Sequence, residues 1–222
     1  MNYEKLEAEL GYVFNNKELL SQALTHTSYA YENKVQSNEK LEFLGDAILE
    51  VTISKFLYNN YINLTEGEMT KVRAAVVCEQ SLYEVAKKHN FSDFLHLGRS
   101  EIANHGSERP AILADSVEAV IAAIFIDSNM ENAEKFIINN LKDAIKIASQ
   151  HVGMKDYKTV LQEKLQTHGA VNIEYITIDE SGPDHDKTFT VELKVNGETR
   201  TFGKGRSKKE AEMQAAKKAL EI

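Results

Sequence analysis

The sequence has a single cysteine, Cys78, in 222 residues, which rules out an intrachain disulfide. A lone thiol fits a reducing compartment, so a cytoplasmic protein is expected. Residues Met1–Glu7 show no basic segment followed by an apolar core, and no secretory leader is visible. Long hydrophobic runs are missing too. The longest, Ala119 to Ile126, is far too short to span a bilayer, so no membrane partner is expected. Basic charge is not in excess either: the net charge is −8, which taken alone argues against nucleic-acid binding. Its distribution qualifies that. Residues 1–154 hold 14 basic and 22 acidic side chains, whereas residues 155–222 hold 12 of each, with the basic ones gathered near the end. Local basic patches can override an acidic mean field. Residues 1–149 also lack strand alternation, so this part is expected to be helical.

What is present is a dense acidic and apolar stretch, Asn38-Glu39-Lys40-Leu41-Glu42-Phe43-Leu44-Gly45-Asp46-Ala47-Ile48-Leu49. Read as a helix, it puts Glu39, Glu42 and Asp46 on one side, because steps of three, four and seven residues differ by only about 60°, 40° and 20° around the axis. Leu41, Phe43, Leu44, Ala47, Ile48, Leu49 and Val51 cover most of the circumference, so the helix is expected to be buried. Three carboxylates in a buried setting repel one another and need a positive partner. The bland reading is a solvated acidic stripe. The sharper one is a hard divalent cation such as Mg²⁺, which takes oxygen ligands. Residues 111–126 favour the second reading. They are more apolar still, and Asp115 and Glu118, at i and i+3, are their only charges. Two apolar helices with spaced acids are what a carboxylate metal site between packed helices requires.

The segments NEKLEFLGDAIL at 38–49 and ILADSVEAVIAAIFID at 112–127 resemble the two acidic motifs of bacterial ribonuclease III, the double-stranded-RNA endonuclease, with Lys40 where arginine is more usual. The resemblance covers nearly the whole chain. It implies a metal-dependent phosphodiester hydrolase with Glu42, Asp115 and Glu118 as direct Mg²⁺ ligands and Mn²⁺ as a possible substitute. Asp46 would complete the cluster directly or through a bound water, and Asp46 and Glu118 are the expected catalytic residues. Glu39 and Glu66 would be auxiliary acids, Glu39 serving metal, RNA or the subunit interface and Glu66 lying near the catalytic valley and the dimer interface. Glu68 has a simpler use as the capping-box partner of Thr65. The resemblance also implies a homodimer, products with 5′-phosphate and 3′-hydroxyl ends and short 3′ overhangs, and a role in processing ribosomal, messenger and transfer RNA.

Other candidates have structural alternatives. His26, in Thr25-His26-Thr27-Ser28-Tyr29, is a possible ligand or base but is more simply a core or capping residue. Residues 96–109 lack periodicity and read as a loop, in which Arg99 and Arg109 either grip phosphate or are merely solvated. Pro110 suits the first turn of the second acidic helix.

The pattern changes after a polar, glycine-containing break. Residues 1–149 are expected to form the all-α endonuclease domain, 150–154 a linker, and 155–222 a small α+β domain. The latter reads α-β-β-β-α: a helix from Tyr157, strands near 171–178, 188–195 and 198–202, a hairpin turn at Asn196-Gly197, and a last helix capped by Ser207. With Gly182-Pro183-Asp184-His185 and Lys208-Lys209, it resembles a double-stranded-RNA-binding domain. A-form RNA offers 2′-hydroxyls across a shallow minor groove. Gln162, Glu163 and Gln166 share a helix face that can bond them, and His185 can reach a second minor groove. Lys204, Lys208 and Lys209 surround a helix N-terminus that favours phosphate. The bland alternative for the lysines is a solubilising face. Competing readings of the whole chain are a non-catalytic duplex-RNA binder, which would have lost acids, and a helical scaffold with an incidental basic tail, which would show no preference for duplex RNA.

Overall fold

The computed structural model describes residues 3–152, 157–167, 170–183 and 187–221. They fall into two compact units, Met1–Gly153 and Met154–Ile222, each with its own hydrophobic core. The first unit is helical: α1 (Glu4–Leu10), α2 (Lys17–Ala23), α3 (Thr27–Asn33), α4 (Glu39–Asn60), α5 (Glu66–Val76), α6 (Glu79–Lys88), α7 (Arg99–Ala103), α8 (Pro110–Asp127) and α9 (Met130–Val152). The second runs α10 (Tyr157–Gln166), β1 (Ile173–Ser181), β2 (Thr188–Val195), β3 (Glu198–Gly205) and α11 (Lys208–Glu221).

The centre of the first unit is α8. Ile112, Leu113, Ala114, Ser116, Val117 and every residue from Ala119 to Ile124 are buried. Each large side chain among them contributes roughly 1.5–3 kcal/mol relative to exposure. Helices α2, α4, α6 and α9 pack around it. Local signals fix the ends of these helices. Asn16 caps α2 by accepting the Glu18 N–H at 3.0 Å. Thr65 and Glu68 form the expected capping box at α5. Pro110 stands in the first turn of α8, where a missing N–H costs nothing.

Three expectations change in this unit. Helix α4 is not buried around its circumference: Leu41, Gly45, Ile48, Leu49, Ile53 and Leu57 face inward, but Phe43 is 81% exposed and Ala47, Val51 and Tyr58 are also exposed. A second apolar face looks the same in sequence whether a core or an outer surface uses it. Residues 96–109 are not one loop. They contain α7 and a 3-10 turn at Gly106–Glu108, too short to show periodicity. Ser28 and Glu32 hold the start of α7, accepting the Gly98 and Arg99 N–H groups at 2.9 Å. Finally, α9 is helical as far as Val152, three residues into the expected linker at 150–154.

In the second unit the strands form an antiparallel sheet in the order β1-β2-β3. Val191, Leu193 and Val195 alternate inward, and Leu193 joins Leu161 of α10 and Ala215 and Ala216 of α11 in the core. Asn196 and Gly197 turn with φ of 53° and 82°, the left-handed pair that a two-residue hairpin requires. Strand β3 extends past its expected end to Gly205, because α11 lies so close that a Cβ at Gly203 would stand 2.0 Å from the Ala211 carbonyl oxygen. Here glycine marks close packing within a strand rather than a loop.

Candidate active site

The acidic residues meet where α4 crosses α8. Gly45 makes the crossing possible: a Cβ there would lie 1.8 Å from the Glu118 carbonyl oxygen. With the two backbones in contact, side chains one turn away on each helix point at the same spot. Glu42, Asp115 and Glu118 each offer a carboxylate oxygen, and these three atoms lie within 4.8 Å of one another. All three residues are half-buried.

The electrostatics follow from that placement. Glu118 is pushed up to about 8, first by burial and then by the charges of Asp46, Asp115 and Glu42. Burial also raises Glu42, with Asp115, Glu39 and Asp46 adding to it. Asp115 is raised by burial above all and by Glu79, while His26 opposes the shift. Such a cluster, with oxygen donors only and carboxyls raised by burial and by one another, fits a hard divalent cation. A cation would relieve both the repulsion and the cost of burying charge.

The remaining candidates lie around this core or apart from it. Asp46 is exposed and acts on Glu42 and Glu118 through its charge, outside the tight group of three. Glu39 is exposed and accepts from Ser37 Oγ at 2.9 Å. Glu66 is exposed at the start of α5, accepts from Thr70 Oγ1 at 3.1 Å, and lines a cleft with Val51, Tyr58, Met69 and Arg73. Arg109 pairs with Glu101 at 3.0 Å. His26 caps α3. Sequence reasoning passed over Gly45 and Glu79. A glycine inside an otherwise strong helix was the available signal for the first; the second is recognisable only once α6 is packed beside α8.

In the second unit Gln162, Glu163 and Gln166 are exposed on α10. Lys204, Lys208 and Lys209 are exposed around the start of α11, where Ser207 Oγ accepts the Glu210 N–H at 3.2 Å. His185 lies outside the described residues. No helix among the described residues is long and apolar enough to cross a membrane.

Comparison with known proteins bears on both units. Residues 16–145 match the family described as ribonuclease-III-like, and residues 157–222 match the double-stranded RNA binding motif. The chain is 45% identical to Ribonuclease 3 of Clostridium perfringens over 222 residues, covering 100% of this chain and 94% of that protein. It is 45% identical to Ribonuclease 3 of Oceanobacillus iheyensis over 224 residues, covering 100% and 98%. Among solved structures, the nuclease domain of ribonuclease III from Campylobacter jejuni, described as flexible in a region involved in dimer formation, superposes with a TM-score of 0.61 at 39% identity. It covers 64% of this chain and 98% of its own. Dicer from Pichia stipitis shares the fold, with a TM-score of 0.50 at 20% identity over 94% of each chain.

Proposed function

The chain belongs to the ribonuclease III family, and we propose that it hydrolyses duplex RNA at the α4–α8 acidic site with Mg²⁺ as its cofactor. It is an endoribonuclease with a double-stranded-RNA-binding domain. We take residues 1–149 as catalytic and 155–222 as duplex-binding. The observation that carries the catalytic reading is the convergence of Glu42, Asp115 and Glu118 oxygens within 4.8 Å.

Those three side chains would hold Mg²⁺, or Mn²⁺ in its place. Bound there, the ion would supply Lewis acidity that acidifies water and offsets charge building on the phosphate. The chain's own groups do the rest. Asp46 and Glu118 orient the attacking water. Its oxygen bonds to phosphorus as the bond from phosphorus to the 3′-oxygen breaks; the water gives up a proton and the departing 3′-oxygen takes one up, leaving a 5′-phosphate and a 3′-hydroxyl. Glu39 and Glu66 serve as outer acids toward RNA or the subunit interface.

The exposed stripe of Phe43, Ala47, Val51 and Tyr58 on α4, beside the cleft at Glu66 and Arg73, supports a homodimer. A two-fold pair of sites suits a duplex whose strands are nearly two-fold related, and one cut per strand gives a short 3′ overhang. Gln162, Glu163, Gln166, Lys204, Lys208 and Lys209 would grip the duplex, together with His185. Ribosomal, messenger and transfer RNA precursors with duplex segments are the substrates this implies, and the cytoplasm the compartment.

The test is incubation with a long perfect RNA duplex, with and without Mg²⁺, followed by end-group analysis. Cutting that needs Mg²⁺, leaves 5′-phosphates and is absent in Glu118→Gln is expected. Tight duplex binding with no cutting under any divalent ion would instead favour a binding protein.

A further inference from the structure

Lys158 and Glu212 join the two helices of the second unit. The Lys158 Nζ donates to Glu212 Oε2 at 2.7 Å, across from α10 to α11. The same ammonium stands over the Tyr175 ring of β1, 4.3 Å from its centroid. Both side chains of the pair are partly buried, so this is not a freely solvated surface pair. One cation thus ties α10, α11 and the sheet together at a single point.

The rest of the contact between these helices gives little direction. Leu161 of α10 shares the core with Ala215 and Ala216 of α11. Alanine methyl groups offer little to interlock, and apolar burial is non-directional. Lys217 over the Tyr157 ring, at 5.8 Å, is a looser tie. Glu212 also has a cation closer in sequence. Lys208 lies four residues before it, the spacing at which ion pairs form along a helix. Glu212 accepts from Lys158 instead, and the Lys208 ammonium stands over the Phe189 ring, 5.9 Å from its centroid.

Each end of the pair lies about one helical turn from side chains taken above to face RNA. Gln162 is four residues past Lys158, and Lys208 and Lys209 are four and three residues before Glu212. A domain of this kind meets an A-form duplex at its minor grooves and at the phosphates across the major groove between them. The distance between those features is a property of the A-form. A B-form DNA duplex has a narrower minor groove and no 2′-hydroxyls.

We infer that Lys158 and Glu212 are positioning residues for duplex RNA, holding the Gln162 and Gln166 face of α10 at the spacing from the α11 lysines that an A-form duplex presents. The inference rests on the duplex-binding reading of those side chains. Neither member of the pair has to touch RNA. Lysines alone attract any polyanion. Reading 2′-hydroxyls while gripping phosphate needs both helices in register, so what the pair sets is the preference for RNA duplex over DNA duplex.

The test is binding by the full-length chain in chelator, followed by fluorescence anisotropy. The probes are an RNA duplex longer than the roughly 16 base pairs such a domain spans and a DNA duplex of the same sequence. Lys158→Met and Glu212→Met each remove one charge while keeping a long side chain and a good helix former. They shift net charge in opposite directions, so a loss of RNA affinity in both cannot come from mean charge. Each is expected to bind the RNA duplex about tenfold more weakly, with DNA affinity within about twofold of wild type. The double variant should bind no more weakly than the weaker single one, because the two residues act as one contact. Lys158→Arg keeps the ion pair and the cation over the ring and should keep the preference for RNA. Wild-type or tighter RNA binding by Glu212→Met would overturn the inference. So would an equal fall in RNA and DNA affinity, which marks general loss of structure, or a Lys158→Arg as weak as Lys158→Met. Gln162→Ala and the pair Lys208→Ala with Lys209→Ala are the controls. If both bind the RNA duplex like wild type, the duplex-binding reading itself fails and takes this inference with it.

Discussion

Gly45 and Glu118 touch through their backbones, and the four acids of the site are arranged around that contact. A Cβ at Gly45 would come within 1.8 Å of the Glu118 carbonyl oxygen and 2.5 Å of its carbonyl carbon. Neither atom is the far end of a flexible side chain. The helices must separate to admit even a methyl group, and Glu42 and Asp46 would move away from Asp115 and Glu118 as they do.

Gly45→Ala is therefore expected to lower cleavage by about 100-fold or more, since a displacement near 1 Å at a reacting centre has that effect. Overpacking of this kind also costs about 1–3 kcal/mol of stability. Gly67, in α5, has nothing within 4 Å of a built Cβ. Gly67→Ala should leave activity intact and stabilise by up to about 1 kcal/mol, because alanine is the better helix former. Cleavage assays and thermal unfolding of the two variants side by side would check the contrast.

Catalysis and duplex binding are expected to separate by variant. Asp115→Ala should abolish cutting while duplex affinity stays within about twofold of wild type, as the roughly fivefold effect of 1 kcal/mol would require loss of a real contact. Lys208→Ala with Lys209→Ala should do the reverse, weakening binding and reducing the slope of log affinity against log salt by about 1–2. Loss of binding with undiminished cutting in Asp115→Ala would contradict the assignment.

The metal-free chain should grow less stable as pH rises from about 4.5 to about 8. Unfolded, Glu118 titrates near its ordinary 4.5; folded, it holds a proton up to about 8. Between those values the folded state binds the extra proton, so stability falls with pH. In chelator at pH 8, Glu118→Gln should exceed wild type by on the order of 1–2 kcal/mol, less than the full displacement implies because the group is partly open to solvent. Near pH 4 the two should unfold together.

Phe43→Glu should convert a dimer to a monomer. An aromatic residue 81% exposed in the isolated chain has the character of an interface anchor, whose loss typically costs 2 kcal/mol or more, about thirtyfold in association. Sedimentation equilibrium gives the result directly. A wild-type chain that is already monomeric would remove the homodimer proposal.

The sequence carried the architecture well because the strongest signals were long and local. Dense apolar stretches marked α4 and α8, periodic apolar residues marked α9, the Thr65–Glu68 box marked the start of α5, and Asn196-Gly197 marked the hairpin. Where contacts distant in sequence decide structure, the reading fell short. Helix α7 depends on Ser28 and Glu32, some seventy residues away. The outward face of Phe43, Ala47 and Val51 is indistinguishable from core by composition. For the site, the acids were visible as residues, and their spacing put them on common helix faces. That Glu42, Asp115 and Glu118 converge, while Asp46 and Glu39 stay outside, depends on how two helices cross, which no local pattern encodes.

If the proposed cation binds here, the raised Glu118 carboxyl turns the acidic site into an exchange site, in which a proton and the cation compete for the same place. Loading the cation means releasing a proton, so apparent metal affinity climbs with pH until Glu118 is fully ionised. Mild acidification would then silence the enzyme without unfolding it, by refilling the site with hydrogen. At alkaline pH a chelator would act differently, stripping away the charge that lets α4 and α8 lie against each other and loosening the fold along with the chemistry.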